Sequence, residues 1–466
     1  AAIEAKRAGA KSVLLVEKQS CLGKKLSQTG NGRANYTNLS MNANAYRSIH
    51  PEYIPSFLKY FDSRDALEYF KALGIYPKFR GDYVYPYSDQ AKSMVQCLEN
   101  ALHNLGVEIC LQHRVEAISW TEHEGFFIKG KKLVQKGGVE SSSQKDKDSD
   151  SALVFGNKEK KKKKEKNKKE KVEWEEKEFS LQGRKLLIAT GGLAMEALGA
   201  SGEGYEIAKN LSHTVSNLFP SLVPIYTKED YVKLWAGVRV DVRAGLYKEQ
   251  DLIFQDEGEL QCTDYGISGI IVFQMSRLVH RLLQDKAKFS LELSFLPKFE
   301  EAEAKNYFLK RKELLEREKG DAFLLGLFPE KLSQVLYERT AFPLKQKIQD
   351  ISDQKILELC QLCLHFPFLP ERIGDFQRAQ CTAGGVNLSE IFIPDFQSKK
   401  NPDLYFAGEI LDVDGICGGY NLHFAFGSGI LAGRAMGKKN AKEMHLMKED
   451  FITGAMKLGH TEEKAN

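Results

Sequence analysis

Apolar and polar positions follow three rhythms along the chain. The spacing in AAIEAKRAGA (1–10) predicts an amphipathic helix, followed by a buried strand, Ser12–Val16, that ends in the acid Glu17. Helical spacing recurs over Pro55–Gly74 and again over Gln90–Leu105, with YVYPYSD between them. GVEICLQHRVEAISW and GFFIKG alternate apolar with polar residues, which predicts an antiparallel meander that breaks at Lys131 and resumes at Glu178. LLIATGG is a strand entering a glycine turn, and ASGEGYEIAKNLSH opens a helix. From Val215 to Asp375 the texture changes. Proline-punctuated strands (FPSLVPIYT, VRVDVRAGLY) precede a strand-turn-helix, CTDYGISGIIVFQMSRLVHRLL, and charged amphipathic helices then run to about Cys363.

The stretch that organises the chain is Leu404–Gly433. A short apolar strand, LYFAG, runs into an acidic turn, Glu409 to Asp414, then a glycine corner at Gly415, Gly418 and Gly419. A helix follows whose small residues permit close packing. Carboxylates at Glu409 and Asp412 can accept hydrogen bonds from hydroxyls, and the helix start at Gly419, Tyr420, Asn421 and Leu422 offers N–H groups to a carbonyl or partial negative charge. This suits a bulky planar cofactor with a polyol tail. At the other end, a strand closed by Glu17 and reached through a helix reads as the second half of a dinucleotide-binding βαβ unit, where the acid bonds the adenosine ribose and Lys18 follows it. The first strand and G-x-G-x-x-G of such a unit are missing from this sequence, which suggests a fragment and predicts poor retention of the pyrophosphate.

Composition changes the picture in three places. With 466 residues and 42% hydrophobic content, the chain should hold two or three soluble domains. Residues 158–171 hold ten Lys and three Glu and contribute +7, so a net charge of +4 leaves −3 elsewhere and no basic nucleic-acid face outside that tract. The Ser/Asp/Lys-rich stretch 131–177 lacks the apolar content to fold and is expected to be a disordered, dispensable insert at a hairpin of the meander. Eight scattered cysteines, with one C-x-x-C at Cys360–Cys363, fit buried thiols in a reducing cytoplasm and no metal site. No apolar run of membrane-spanning length and no signal peptide are visible.

Four stretches, GKKLSQTGNGRANYTN (Gly23–Asn38), IATGGLAMEALGASGEGY (Ile188–Tyr205), AQCTAGGV (Ala379–Val386) and Leu404–Gly433, together resemble the BaiN/YhiN-type NAD(P)/FAD-dependent oxidoreductases. These belong to the two-dinucleotide-binding flavoproteins. The resemblance implies an α/β fold, with a Rossmann-like FAD-binding domain carrying an antiparallel β-meander, and an inserted β-rich and helical domain that covers the flavin. The expected boundaries are 1–197 with 375–440 for the FAD domain, 198–374 for the insertion and 441–466 for a tail. It places Lys25, Asn31, Gly32, Arg33 and Asn35 along the flavin nucleotide, Val115 beside the adenine, and Ala189, Thr190, Gly191, Gly192 and Gly408 against the cofactor. Three positions depart from the family pattern: Ala34 stands where cysteine is common, Glu203 where aspartate is usual, and Asp264 where histidine is frequent.

FAD, with NADH or NADPH as electron donor, is the implied cofactor set. No Ser-His-Asp, H-E-x-x-H or P-loop pattern competes with it, and hydride chemistry at a flavin requires none. No catalytic residue is assigned. Thr382, Gly384, Gly385 and Asp264 are the flavin-cleft candidates, the N–H groups of the TAGGV turn being suited to face the ring or an enolate-like oxygen. His280, His365 and His423 read as structural or solvent-facing. Three functions stay open: a reductase of conjugated small molecules, an RNA-modifying enzyme reducing uracil, and a non-catalytic flavin-binding module. Substrate, nicotinamide preference and oligomeric state are not encoded in any motif.

Overall fold

The computed structural model describes residues 1–135 and 174–438. It is an α/β, Rossmann-like body with an antiparallel meander, into which a β-rich and helical unit is inserted. In the body, strand Leu14–Val16 pairs in parallel with Glu108–Cys110, and helices Ala2–Arg7 and Ala91–Asn104 lie beside them. Leu186–Ile188 pairs in parallel with Leu404–Phe406, so the two strands that lead into glycine turns lie side by side.

The helix expected over Pro55–Gly74 is two helices, Ile54–Tyr60 and Ser63–Ala72. Asp62 divides them: its carboxylate accepts from the N–H groups of Arg64 and Asp65, and Asp65 returns a bond to the Asp62 N–H. This reciprocal cap starts a new helix wherever it forms.

The meander comprises His113–Thr121, Gly125–Gln135 and Trp174–Gly183. Its second and third strands pair from Phe126–Gly183 to Gln135–Trp174, four residues beyond the expected breaks on each side. The remainder of the expected insert, and the tail 441–466, lie outside the described residues.

The inserted unit centres on a seven-stranded antiparallel sheet dominated by the hairpin of Arg239–Lys248 with Asp251–Thr263. Helix Ile270–Gln284 and the helices Glu301–Leu314, Glu330–Thr340 and Asp353–Leu364 pack around it. Its core draws only on residues between Ala194 and Ala379, with Trp235, Phe308, Phe323 and Phe366 fully buried. The core of the body instead gathers residues from Ala45 to Ala432.

Strand Phe219–Ser221 pairs with Cys381–Ala383 and ties the two parts together. The final helix, Tyr420–Gly437, lies in the body, where its glycines allow contact no side chain would: a Cβ on Gly427 would meet Phe61 at 2.5 Å, and one on Gly433 the Ala1 carbonyl at 2.3 Å. Among the described residues no helix is long and apolar enough to cross a membrane.

Candidate flavin site and the seam beside it

Four segments far apart in sequence converge on Glu409. Lys25 Nζ lies 2.7 Å from Glu409 Oε2, and the Thr382 N–H donates to Oε1 at 2.8 Å. Thr382 Oγ1 accepts from the N–H groups of Leu193 (2.8 Å) and Ala194 (3.2 Å), just past the Gly191–Gly192 turn. Gly192 must be glycine here, since a Cβ would sit 2.3 Å from Thr382 Oγ1 and 2.8 Å from Glu409 Oε1. Gly191, at φ +75, faces open space. Thr190 packs its hydroxyl against Gly204, where a Cβ would overlap it, and Ala189 follows directly after Ile188 in the same crossover. Gly408, at φ +77, donates its N–H to Ser428 Oγ (2.9 Å).

The loop that carries Lys25 turns through left-handed backbone at Gly30, Asn31, Gly32 and Ala34. Ala34 is fully buried at φ +55, a conformation that costs an L-residue of order 1 kcal/mol or more. Asn31 and Arg33 are exposed on this loop. Asn35 is spent on structure: its Oδ1 accepts from the Val84 N–H (3.2 Å) and touches the Gly419 backbone.

The expected adenosine end is linked by hydrogen bonds to the loop that carries Lys25. Glu17 accepts from the Gln19 N–H (2.8 Å), and Gln19 Oε1 accepts from Lys24, the neighbour of Lys25. Lys18 pairs with Glu203 (2.8 Å), which also receives Arg114 Nε at 3.1 Å. Val115 lines a depression of about 190 Å³ with Arg114, Glu203 and Ile207. Opposing charges next to Glu203 hold its carboxyl below the usual range despite partial burial.

Several of the expected site residues also make bonds within the protein. Asp412 is 1% exposed and accepts from the Ile49 N–H (2.9 Å) and Ser48, so its carboxylate anchors a loop; burial pushes its pKa up. Asn421 closes back on Gly415, accepting from its N–H (2.8 Å) and donating to its carbonyl (2.9 Å). Tyr420 is held by Tyr46 and by the Ser40 carbonyl, Gly419 turns at φ +97, and Leu422 packs on the cluster around Tyr36 and Phe70.

Three N–H groups of the TAGGV turn are taken within the protein: Thr382 by Glu409, Gly385 by Ser216 Oγ, and Val386 by the Ile410 carbonyl. Gly384, at φ +86, abuts the Asn217 carbonyl. Asp264 stands apart from Thr382. It is exposed at a hairpin tip and lines a separate depression of about 410 Å³ built wholly from residues 236–239 and 261–265 of the inserted unit. Its neighbour Tyr265 accepts from Arg378 Nη1 at 3.2 Å.

The structure also assembles charged groups that the sequence did not single out. Asp414, 1% exposed, is bonded to Ser221 Oγ (3.0 Å) and to Arg277 from the inserted helix. Opposite Asp414 in a strand pair stands Arg47, whose Nη2 donates to the Gln274 carbonyl (3.0 Å) across the same seam. Among the described residues none hydrogen-bonds the buried Arg47 Nη1. Burial pushes the Asp414 carboxyl upward against the pull of Arg277 and Arg47, and pushes the Cys417 thiol up to about 12. The available signal was a Ser–Arg pair, Ser276–Arg277, interrupting the apolar stripe of Ile271, Val272, Met275, Val279 and Leu282.

Comparison with known proteins decides the family. The model described as the HI0933-like protein Rossmann domain matches residues 1–143 and 139–435. The chain belongs to the HI0933-like family. A 3-dehydro-bile acid delta(4,6)-reductase of Clostridium scindens is 33% identical over 94% of this chain and 96% of its own length. Two ribosomal RNA dihydrouridine synthases are each 25% identical, one from Haemophilus influenzae (90% of either chain) and one from Escherichia coli (89% of this chain and 90% of that one). As an HI0933-like protein, the chain is an oxidoreductase of the flavoprotein type.

The donor set fits a flavin nucleotide. A carboxylate and an ammonium stand side by side at a part-exposed position, next to a Gly191 turn with open space above it.

Proposed function

We propose that this HI0933-like protein binds FAD, takes electrons from NADH or NADPH, and reduces a carbon–carbon double bond conjugated to a carbonyl in a small molecule. The observation that carries the reading is the convergence of Lys25, Gly192, Thr382 and Glu409 from four distant segments on one part-open point. The similarity to a bile acid reductase over nearly the whole of both chains supports the substrate class.

Bound flavin would supply hydride transfer. Glu17 would accept from the ribose and Glu409 from the polyol hydroxyls. Lys25 keeps Glu409 charge-balanced, and Thr382 fixes the carboxylate through its backbone while its hydroxyl locks the Leu193–Ala194 turn. On this reading residues 1–197 with 375–440 form the FAD-binding part, and 198–374 cover the cleft.

Reconstituting the full chain with FAD and following NADH and NADPH oxidation tests it, with an unsaturated 3-ketosteroid in one arm and uridine-containing RNA in the other. Flavin absorbance and steroid-dependent turnover are expected. Turnover with RNA alone would move the substrate to uracil, the alternative raised by the two 25%-identical relatives. A protein that takes up no flavin ends the reading. Glu409→Gln should weaken FAD binding by about 10- to 100-fold, the worth of a hydrogen bond to a charged group.

A further inference from the structure

Two tyrosines and two arginines stack at one edge of the inserted sheet. Strand Ile225–Tyr226 pairs with Gly266–Ser268 on one side and with the edge strand Arg372–Ile373 on the other, so Tyr226 stands opposite both Gly266 and Arg372. The Tyr265 ring, one residue before Gly266, stacks on Tyr226 with centres 4.6 Å apart and planes 23° from parallel. The Arg372 guanidinium lies over the Tyr226 ring at 3.7 Å, and that of Arg378 over the Tyr265 ring at 4.8 Å.

Both arginines are exposed, and stacking engages only the faces of their guanidiniums. The N–H groups lie in the guanidinium plane and are little used. Arg372 gives one bond, to the Ile373 carbonyl (3.4 Å), and Arg378 one, to the Tyr265 hydroxyl (3.2 Å). The acids nearby have donors of their own: Glu371 pairs with Lys228 (2.7 Å), Glu229 with Arg339 (3.3 Å), and Asp375 accepts from the N–H groups of Gln377 and Arg378. Among the described residues neither Arg372 nor Arg378 forms an ion pair. Tyr265 also lines the depression of about 410 Å³ formed by residues 236–239 and 261–265, within the size range of small-molecule sites. The segment that carries Arg378 is tied to the proposed flavin site. Its Phe376 carbonyl accepts from the Met195 N–H (2.9 Å), directly after the Leu193–Ala194 turn that Thr382 holds.

We infer that Arg372 and Arg378 receive the phosphates of the nicotinamide donor, and that this donor is NADPH. The inference rests on the proposed function in taking a nicotinamide dinucleotide as the electron source. A guanidinium held flat on a ring offers in-plane N–H groups whose spacing matches phosphate oxygens. Two separate guanidiniums, one on each tyrosine, suit a ligand with anionic groups in two places. NADPH carries them in its diphosphate bridge and its 2′-phosphate, whereas NADH has only the first. The depression beside Tyr265 takes the adenosine, and the exposed Asp264 on its rim accepts from a ribose hydroxyl.

The test titrates NADP⁺ and NAD⁺ by calorimetry into the FAD-reconstituted full chain, so that binding is read apart from turnover. The parent should bind NADP⁺ about tenfold more tightly than NAD⁺, and the margin should shrink as salt is raised. Arg372→Gln and Arg378→Gln should each weaken NADP⁺ by about tenfold, and the double variant should erase the preference. Arg372→Lys and Arg378→Lys should restore part of it. Both side chains are exposed, so flavin absorbance and melting temperature should hold in every variant. Equal binding of the two nucleotides by the parent, or a preference kept in the double variant, overturns the inference. A third arm titrates a 3-ketosteroid with a side-chain carboxylate: if the double variant loses that ligand and keeps NADP⁺, the arginines serve the substrate and the inference falls. Flavin absorbance and NADH oxidation by the same parent sample separate the two readings. A chain that takes up FAD and oxidises NADH without preferring NADP⁺ contradicts this inference alone, whereas one that takes up no FAD contradicts the proposed function.

Discussion

Trp235 and Phe57 are both fully buried aromatic anchors, yet they find their neighbours in different ways. Trp235 packs on Tyr231, Phe295 and Phe366, all within the inserted unit. Phe57 packs on Phe396, His423 and Phe424, which come from the far end of the chain. The inserted unit closes its core with one continuous stretch, whereas the body must first bring its two ends together, which makes its contacts entropically slower to gather. The Lys25–Glu409–Thr382 convergence sits in the body, and its parts are fixed only when those ends meet.

The comparison can be broken by substitution. Trp235→Ala should cost about 3–5 kcal/mol in urea unfolding through the cavity it leaves. If the inserted unit is self-contained, flavin uptake should survive at low temperature; its loss would show that the two cores stand or fall together. Gly385→Ala attacks the other side. At φ +151 its Cβ would lie 2.5–2.7 Å from the Leu411, Ile410 and Asp412 backbone, so about 3 kcal/mol should be lost, with weaker FAD retention.

His423 sharpens the contrast through pH. It bonds Thr37 (2.8 Å) and the Phe61 carbonyl, and burial lowers its pKa to about 4. The unfolded chain binds a proton near pH 6.5 that the fold refuses until about 4, so the stability from this group is present above 6.5 and lost as pH falls through that window. The loss should reach about 3 kcal/mol, and His423→Gln should flatten the slope in chemical denaturation at each pH. Lys18→Met removes a part-exposed pair with Glu203 and should change the melting temperature by the equivalent of about 1 kcal/mol or less. Smallest of all, joining residue 135 to 174 through a short turn should leave flavin absorbance unchanged, since the flanking strands already pair at Gln135–Trp174.

The fold class was readable because its signals are local. Alternating strands, the glycine corner before Tyr420 and the strand ending at Glu17 each declare themselves within a few residues. Proximity of Lys25 to Glu409 was implied by family resemblance and by the chemistry of each loop. The bonds that the Asp412 and Asn421 side chains make to Ile49 and Gly415 were not readable, because a carboxylate or amide looks the same in sequence whatever loop it meets. Arg47, Arg277 and Asp414 were hidden for a stronger reason: each belongs to a different element, and only the docking of the two bodies makes them a set. Asp62 shows the local version of the same lesson, one side chain splitting an apparently continuous helix.

Ala34 has one more implication. Sealed from solvent at φ +55, it occupies the half of backbone space natural to the mirror image of its own amino acid. Glycine there should relax that strain, while valine, branched at its β-carbon, should throw the whole 29–35 loop out of shape. The handedness of a single methyl-bearing carbon thus guards the place where Lys25 is aimed.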